Sequence, residues 1–377
     1  MRVIVISSDY PRPDLIYGDT FVQARVRLYK LHHEVIVVGY KPELDGDREF
    51  VLEDVSVFIY KKIKDFCTKI TDYNPDIIAA HLVHYSYIPF LIGINKPLVV
   101  FVHGFEAMSW TRRLMNYTHF GDLPYLLPFV VYNRRQKAGM KKLIKYANTN
   151  SDICFVFVSS WLKVATESDL GIEIRNSRII PNGIDTRVFS YVKKSENLRK
   201  RILVLRSFRA RNYANDLAME AIISLSKKTF FPELEFTIYG EGHLYSMLTN
   251  KIKHFPNVIL NNYFVLNHDI PAIHIQHGIF LCPSRLDTQG VSMCEAMASG
   301  LIPITSPIGG IPEYSEDSLD SFHVKGAEEI ASRIEYLFYN PENFLEMSQN
   351  ARLSVERKCS LRQTTNTEME LFESVLK

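Results

Sequence analysis

Residues 278–300 read "GIFLCPSRLDTQGVSMCEAMASG". The stretch passes from an apolar run through a polar loop into a helix-like segment. Ile279–Cys282, bounded by Gly278 and Pro283, has the length and composition of a buried strand. From Val291 onward Ala, Met and Glu favour a helix, and Gly300 supplies its C-terminal stop. Gln289, Gly290 and Val291 make the turn into that helix. Their backbone N–H groups would then point out of its N-terminus, an arrangement that favours an anion, most commonly a phosphate. Asp287 lies in the loop and Glu295 about one turn inside the helix, so the two acids do not share a helical face. Two readings fit. In one, Glu295 reaches a sugar hydroxyl beyond a bound phosphate. In the other, Asp287 merely precedes a helix and Glu295 is solvated. Spacing alone does not choose between them.

The same strand-then-helix pattern recurs on both sides. "RVIVISS" (2–8) and "EVIVVGY" (34–40) are rich in Val and Ile and read as buried parallel strands. The stretch 18–33 between them has apolar residues at roughly helical spacing, with Asp19 near its start. "DIIAAHL" (76–82), "PLVVFVHG" (97–104), "ICFVFVSS" (153–160) and "SRIIPNG" (177–183) continue the series. "SYVKKSENLRK" (190–200) is polar, lacks an apolar period and reads as a linker. A second series follows at 201–207, 234–240, 258–263, 278–284 and 302–307, separated by helical segments such as 214–228. Two successive α/β series predict two doubly wound domains. The expected division is 1–189, a linker at 190–200, 201–355, and a C-terminal helix at 356–377 that packs back on the first domain. Ligands of such sheets bind beyond the C-terminal ends of the strands, so the chemistry belongs in the loops that follow them.

Composition narrows the function. The chain has 377 residues, 46% of them hydrophobic, enough to build two cores. With 44 Lys and Arg against 42 Asp and Glu, it lacks the basic excess of a nucleic-acid-coating protein. The five cysteines are scattered without a CxxC pair, so neither a zinc site nor a disulfide framework is expected. No run of about 18 apolar residues predicts a transmembrane helix, the N-terminal apolar run is too short for a signal peptide, and a reducing cytoplasm is the simplest home. His81, His84, His274 and His277 show no metal-ligand spacing with acids and are assigned structural roles. Cys294 is expected to pack beneath its helix.

"PSRLDTQGVSMCEAMASGLIPITSPIGGIPE" (283–313) resembles the signature of family 4 retaining glycosyltransferases. That signature runs Pro-Ser, an acid, a glycine-containing turn, a second acid after seven residues, Ala-Met-Ala-x-Gly, then Gly-Gly and Glu. The departure is Asp287, where the family usually has Glu, one methylene longer. "IIPNGIDTRVF" (179–189), "VHGFE" (102–106), "YGDTF" (17–21) and "IYGEGH" (238–243) resemble further family landmarks, in the family's order. After the first strand of the second domain the family usually carries Arg, four residues, then Lys-Gly. Here "LRSFRARNYANDLAMEA" places Arg206 and, five positions on, Arg211, with Asn212 in the place of Gly. Arg209 is an alternative to either cation, because the register after Phe208 differs by one or two residues.

The resemblance implies a GT-B fold, two Rossmann-like domains facing a central cleft. It implies a metal-independent, retaining transfer of a hexose-type sugar from a UDP- or GDP-sugar to a hydroxyl of a glycan or lipid-linked glycan. The nucleotide sugar is a substrate, and no cofactor is expected. Glu295 would hold the ribose and Asp287 the sugar hydroxyls. Arg206 and Arg211 would neutralise the diphosphate, while Gly18 and the amides of Gln289, Gly290 and Val291 close around it. His103, after a strand and before Gly104, would face the donor sugar. On family grounds the setting is bacterial surface-polysaccharide assembly, lipopolysaccharide or capsule. Rival readings are a sugar-nucleotide epimerase of the same fold and a decayed, glycan-binding relative. Residues 110–150 carry eight Lys and Arg against one acid, Asp122, mixed with Tyr, Phe, Trp and Leu. Such a composition suits docking on anionic lipid headgroups at the inner face of the plasma membrane. An ordinary amphipathic helix pair explains it equally.

Overall fold

The computed structural model describes residues 1–12, 14–15, 18–118 and 122–376. The chain forms two units, 1–183 with 361–377, and 184–360.

The sheet of the first unit is built from β1 (Arg2–Ile6), β2 (Glu34–Tyr40), β3 (Arg48–Leu52), β4 (Val55–Tyr60), β5 (Ile77–His81), β6 (Leu98–Val102), β7 (Ile153–Phe157) and β8 (Ser177–Ile179). Their order is β3-β4-β2-β1-β5-β6-β7-β8. All neighbours pair in parallel except the edge pair of β3 with β4. Val3, Ile4, Val5 and Ile6 are fully buried, as expected of a strand covered on both faces. The helices are α1 (Thr20–Tyr29), α2 (Ile63–Tyr73), α3 (Ile88–Gly93), α4 (Leu123–Ala147) and α5 (Ser160–Leu170).

The sheet of the second unit contains β9 (Arg201–Leu205), β10 (Glu235–Tyr239), β11 (Val258–Asn261), β12 (Ile279–Cys282), β13 (Ile302–Thr305) and β14 (Phe322–His323). Its order is β11-β10-β9-β12-β13-β14, parallel throughout. Around it lie α6 (Asn215–Leu225), α7 (Tyr245–Thr249), α8 (Ile270–Ile275), α9 (Val291–Ala298), α10 (Ile311–Tyr314), α11 (Ala327–Tyr339) and α12 (Pro341–Cys359). Each sheet starts at a central strand, winds out to one side, then returns to the other. The order reverses between β1 and β5 in one unit and between β9 and β12 in the other. Loops diverge at such a reversal and leave a crevice for a ligand.

The last helix, α13 (Leu361–Val375), belongs to the first unit. Glu368 anchors it: its carboxylate is fully buried, pairs with Arg25 Nε at 2.8 Å and accepts the Tyr29 hydroxyl at 2.5 Å. The units divide at 183/184 and 360/361 rather than at the 189 and 355 expected from the sequence. Ile184 and Phe189 pack with Phe280, Met297 and Val355 in the core of the second unit, and α12 continues to Cys359. The polar stretch 190–200 is no free linker either. Lys194 is buried there, its ammonium donating to the His274 carbonyl at 2.7 Å, and residues 196–200 form a 3-10 turn. A polar side chain can pack when a carbonyl receives it, which apolar periodicity does not reveal.

Candidate active site

Both reversals in strand order carry the residues singled out from the sequence. In the second unit, β9 ends at Leu205 and delivers Arg206. Its side chain is buried and reaches the loop after β12: Nη2 donates to Ser284 Oγ at 2.7 Å and Nη1 to Ser292 Oγ at 2.8 Å. The guanidinium lies 4.8 Å from the ring centre of Tyr213. Nε is buried and has no partner among the described residues. A permanent cation is therefore fixed at the head of α9, where the helix dipole adds positive potential.

Asp287 stands beside it, Oδ2 3.8 Å from Arg206 Nη2. Its other oxygen accepts the N–H groups of Gln289 at 3.2 Å and Gly290 at 2.7 Å. The turn expected to offer three amides to an anion thus keeps two for itself. Val291 opens α9, where a backbone N–H has no carbonyl one turn back. Gly290 adopts φ +82°, a left-handed conformation that favours glycine. At the far end the N–H groups of Gly300 and Leu301 close on the carbonyls of Met297 and Ala296, both at 2.9 Å, a glycine C-cap.

Glu295 lies inside α9, partly exposed. Among the described residues no hydrogen bond or ion pair reaches its carboxylate. Burial raises its pKa from 4.5 to about 8, because a desolvated carboxylate without donors favours its neutral form. The preceding Cys294 is fully buried, and contact with Cys359 followed by burial pushes its thiol well up. It packs as expected.

Arg209 takes another course. Its exposed guanidinium meets Glu241 at 2.5 Å and lies 5.1 Å from the ring centre of Phe264. Arg211 opens the 3-10 turn Arg211–Tyr213, and its carbonyl accepts Arg285 Nη1 at 3.0 Å. Arg285 also grips Asp216 with both terminal nitrogens, at 2.8 and 2.6 Å. The loop after β9 is therefore pinned to the loop after β12. Sequence reasoning passed over Arg285, whose partner is 69 residues away.

In the first unit, β6 delivers His103. Its backbone N–H and that of Gly104 donate to the buried Glu106 carboxylate at 2.6 and 3.0 Å. Burial raises the Glu106 pKa from 4.5 to about 7. His103 Nε2 lies 3.1 Å from Nδ1 of His81, and the Phe21 ring centre lies 4.6 Å from the imidazole. Gly18 precedes α1, where a Cβ would stand 2.0 Å from the Asp9 carbonyl oxygen. Close approach of chain to chain demands glycine there. Tyr17, in the stretch YGDTF, lies outside the described residues. His81 is assigned a structural role from the sequence, and Glu106 none. The available signal is placement, since β5 and β6 pair in parallel with His81 opposite Phe101.

Residues 110–150 form the 3-10 turn Trp110–Asn116 and α4, with 119–121 outside the described residues. Asn133 and Gln136 turn inward and bind backbone groups of Met108, Trp110, Val83 and Tyr85. Tyr125 and Leu127 are 73% and 68% exposed, and Arg134, Arg135, Lys142 and Lys145 are exposed as well. Among the described residues no group of His, Cys, Asp or Glu is arranged to hold a metal ion, and no helix is long and apolar enough to cross a membrane.

Comparison with known proteins adds to this geometry. Residues 3–188 match the family model described as Glycosyltransferase Family 4, and residues 199–340 that described as Glycosyl transferases group 1. The alpha-monoglucosyldiacylglycerol synthase of Acholeplasma laidlawii is 26% identical over 194 residues, 47% of this chain and 48% of that protein. The UDP-Gal:alpha-D-GlcNAc-diphosphoundecaprenol alpha-1,3-galactosyltransferase of Escherichia coli is 26% identical over 196 residues, 49% and 47% of the two chains. The match spans about half the length of each of these relatives. The crystal structure of Anabaena HepE in complex with UDP and glucose superposes with a TM-score of 0.70, at 14% identity, over 99% of both chains. That likeness concerns the fold.

Proposed function

Because the chain belongs to the family 4, group 1 glycosyltransferases, enzymes of GT-B type that use nucleotide sugars, we propose that it is a retaining, metal-independent hexosyltransferase. The donor is a UDP-sugar and the acceptor a hydroxyl of a lipid-linked glycan in surface-polysaccharide assembly. UDP is preferred to GDP because the name of the Escherichia coli relative specifies UDP-Gal and the Anabaena structure contains UDP. A lipid-linked acceptor is preferred because the Acholeplasma laidlawii and Escherichia coli relatives are named for a lipid product and a lipid-linked acceptor. The exposed Tyr125 and Leu127, with the basic residues that follow on α4, dock the first unit on anionic lipid.

The observation that carries the reading is the buried Arg206, tied to Ser284 and Ser292 at the head of α9 with Nε unused. Its charge, with that of Arg211, neutralises the departing diphosphate. The Val291 amide contributes from the helix terminus. Glu295, without a partner of its own, accepts the ribose hydroxyls. Asp287 turns Oδ2 to the donor sugar. Attack comes from the face of the leaving group, whose phosphate oxygen takes the acceptor's proton, so no side-chain base is required. Removal of water from around the reacting groups limits hydrolysis.

A thermal-shift comparison of UDP-, GDP- and ADP-sugars in the presence of EDTA tests the donor, since a ligand bound to the folded state raises its stability as ln(1 + [L]/Kd). UDP-sugars should stand out, with UDP release accelerating when acceptor is added. No shift with any nucleotide sugar overturns the proposal.

A further inference from the structure

We propose that Arg285 is a positioning residue: its side chain fixes the Arg211–Tyr213 turn and, through that turn, both cations assigned to the diphosphate. The inference rests on the reading above that Arg206 and Arg211 neutralise that diphosphate.

Arg285 holds two successive carbonyls of the loop after β9. Its backbone N–H donates to the Asn212 carbonyl at 2.7 Å, and Nη1 donates to that of Arg211 at 3.0 Å. One hydrogen bond leaves a turn free to rotate about it. Two, to adjacent peptide planes, fix its orientation. The guanidinium is aimed by Asp216, which accepts Nη1 and Nη2 on separate oxygens at 2.8 and 2.6 Å. Such a fork sets direction as well as distance. Both side chains are partly exposed, so the ion pair contributes little to stability and its effect is chiefly geometric.

The turn is one that needs holding. Ala214, which ends it, is fully buried at φ +47°, a left-handed conformation that is costly for a residue with a Cβ. Asn215 Nδ2 secures the far side by donating to the Ser207 carbonyl at 2.9 Å. Within the turn, the Tyr213 ring centre lies 4.8 Å from the Arg206 guanidinium. Ser284, the residue before Arg285, accepts Arg206 Nη2 at 2.7 Å. Ser284 thus holds one cation directly. Arg285 holds the backbone of the other and, through Tyr213, supports the first again.

Calorimetric titration of UDP in EDTA on full-length variants tests this. Arg285→Lys keeps a charge near Asp216, but its ammonium stops one atom short of Nη1 and cannot fork. It should melt within about 3 °C of the parent and bind UDP about tenfold more weakly. Asp216→Asn leaves an oxygen for Nη1 and spares the bond to the Arg211 carbonyl, so its UDP affinity should stay within roughly threefold of the parent. Combined with Arg211→Gln, Arg285→Lys should add far less than its own loss, because both act through one turn. Unchanged affinity in Arg285→Lys, equal losses in Arg285→Lys and Asp216→Asn, or full multiplication in the double variant overturns the positioning role. Hydrogen exchange without ligand reads the turn itself. The Ala214 N–H, bonded to the Arg211 carbonyl at 3.1 Å, should exchange faster in Arg285→Lys, and parental exchange overturns the proposal. Failure of the parent to bind UDP would contradict the reading above, while the exchange result still judges Arg285.

Discussion

Arg206 Nη2 stands 3.8 Å from Asp287 Oδ2, while Oδ1 of the same carboxylate accepts the Gly290 N–H at 2.7 Å. One oxygen shapes the turn and the other stays beside the fixed cation. This division accounts for the shorter acid. A carboxylate on one methylene reaches back to amides two and three residues on, a local bond that Asp forms readily.

Asp287→Asn retains the acceptor for the turn and loses the charge beside Arg206. Its unfolding free energy should stay within about 0.5 kcal/mol of the parent, and its turnover should fall by about 100-fold. Asp287→Ala loses the acceptor too, so it should be less stable by about 1 kcal/mol and equally inactive. Denaturant unfolding and steady-state kinetics separate the two effects. Equal stability of the two variants contradicts the shaping role.

Glu295 predicts a pH signature. Its pKa rises from 4.5 to about 8 on folding, by burial. The folded state therefore binds a proton that the unfolded state releases. The stability this contributes is complete below pH 4.5 and declines until it is lost as pH passes 8. Relative to Glu295→Gln, which cannot ionise, the parent should lose melting temperature progressively between those limits. Nucleotide binding acts in the opposite sense, because ribose hydroxyls donate to the charged carboxylate. Calorimetry near pH 7 in buffers of different ionisation enthalpy should show release of up to about one proton with UDP, and none in Glu295→Gln.

Gly240 adopts φ +148°, and a Cβ there would lie 2.0 Å from the Arg206 carbonyl oxygen. Gly240→Ala should displace the Arg206 loop, destabilise the second unit by roughly 2 kcal/mol, and weaken UDP binding. Retained UDP affinity at parental stability would show that the loop tolerates the added carbon.

Much of this architecture is legible in the chain itself. Covered strands such as Glu34–Tyr40 coincide with their apolar runs, since burial on both faces leaves little but Val and Ile. The edge pair β3 and β4 is hidden. Its turn places Glu53 and Asp54 at φ 52° and 58° without the glycine that advertises such a turn. The Pro-Ser, acid, turn and acid spacing locates Arg206's partners only after the fold brings residues 206 and 284 together. The capture of two turn amides by Asp287 depends on side-chain rotamer, which spacing does not encode.

Tyr125, Leu127 and Val131 are exposed on the first turns of α4, ahead of its basic half. Vesicles rich in anionic lipid should sediment with the protein at low salt and release it as ionic strength rises. Tyr125→Ser with Leu127→Ser should weaken this binding about tenfold or more while leaving UDP affinity unchanged. Equal sedimentation with neutral vesicles, or none with anionic ones, argues for an ordinary exposed helix.

The central claim is that the head of α9 grips a nucleotide diphosphate through Arg206. Calorimetric titration of UDP in EDTA, on the parent and on Arg206→Gln of matched melting temperature, measures this directly. The account predicts binding to the parent and a dissociation constant raised about 30-fold, near 2 kcal/mol, in the variant. The same UDP affinity in both proteins would contradict it.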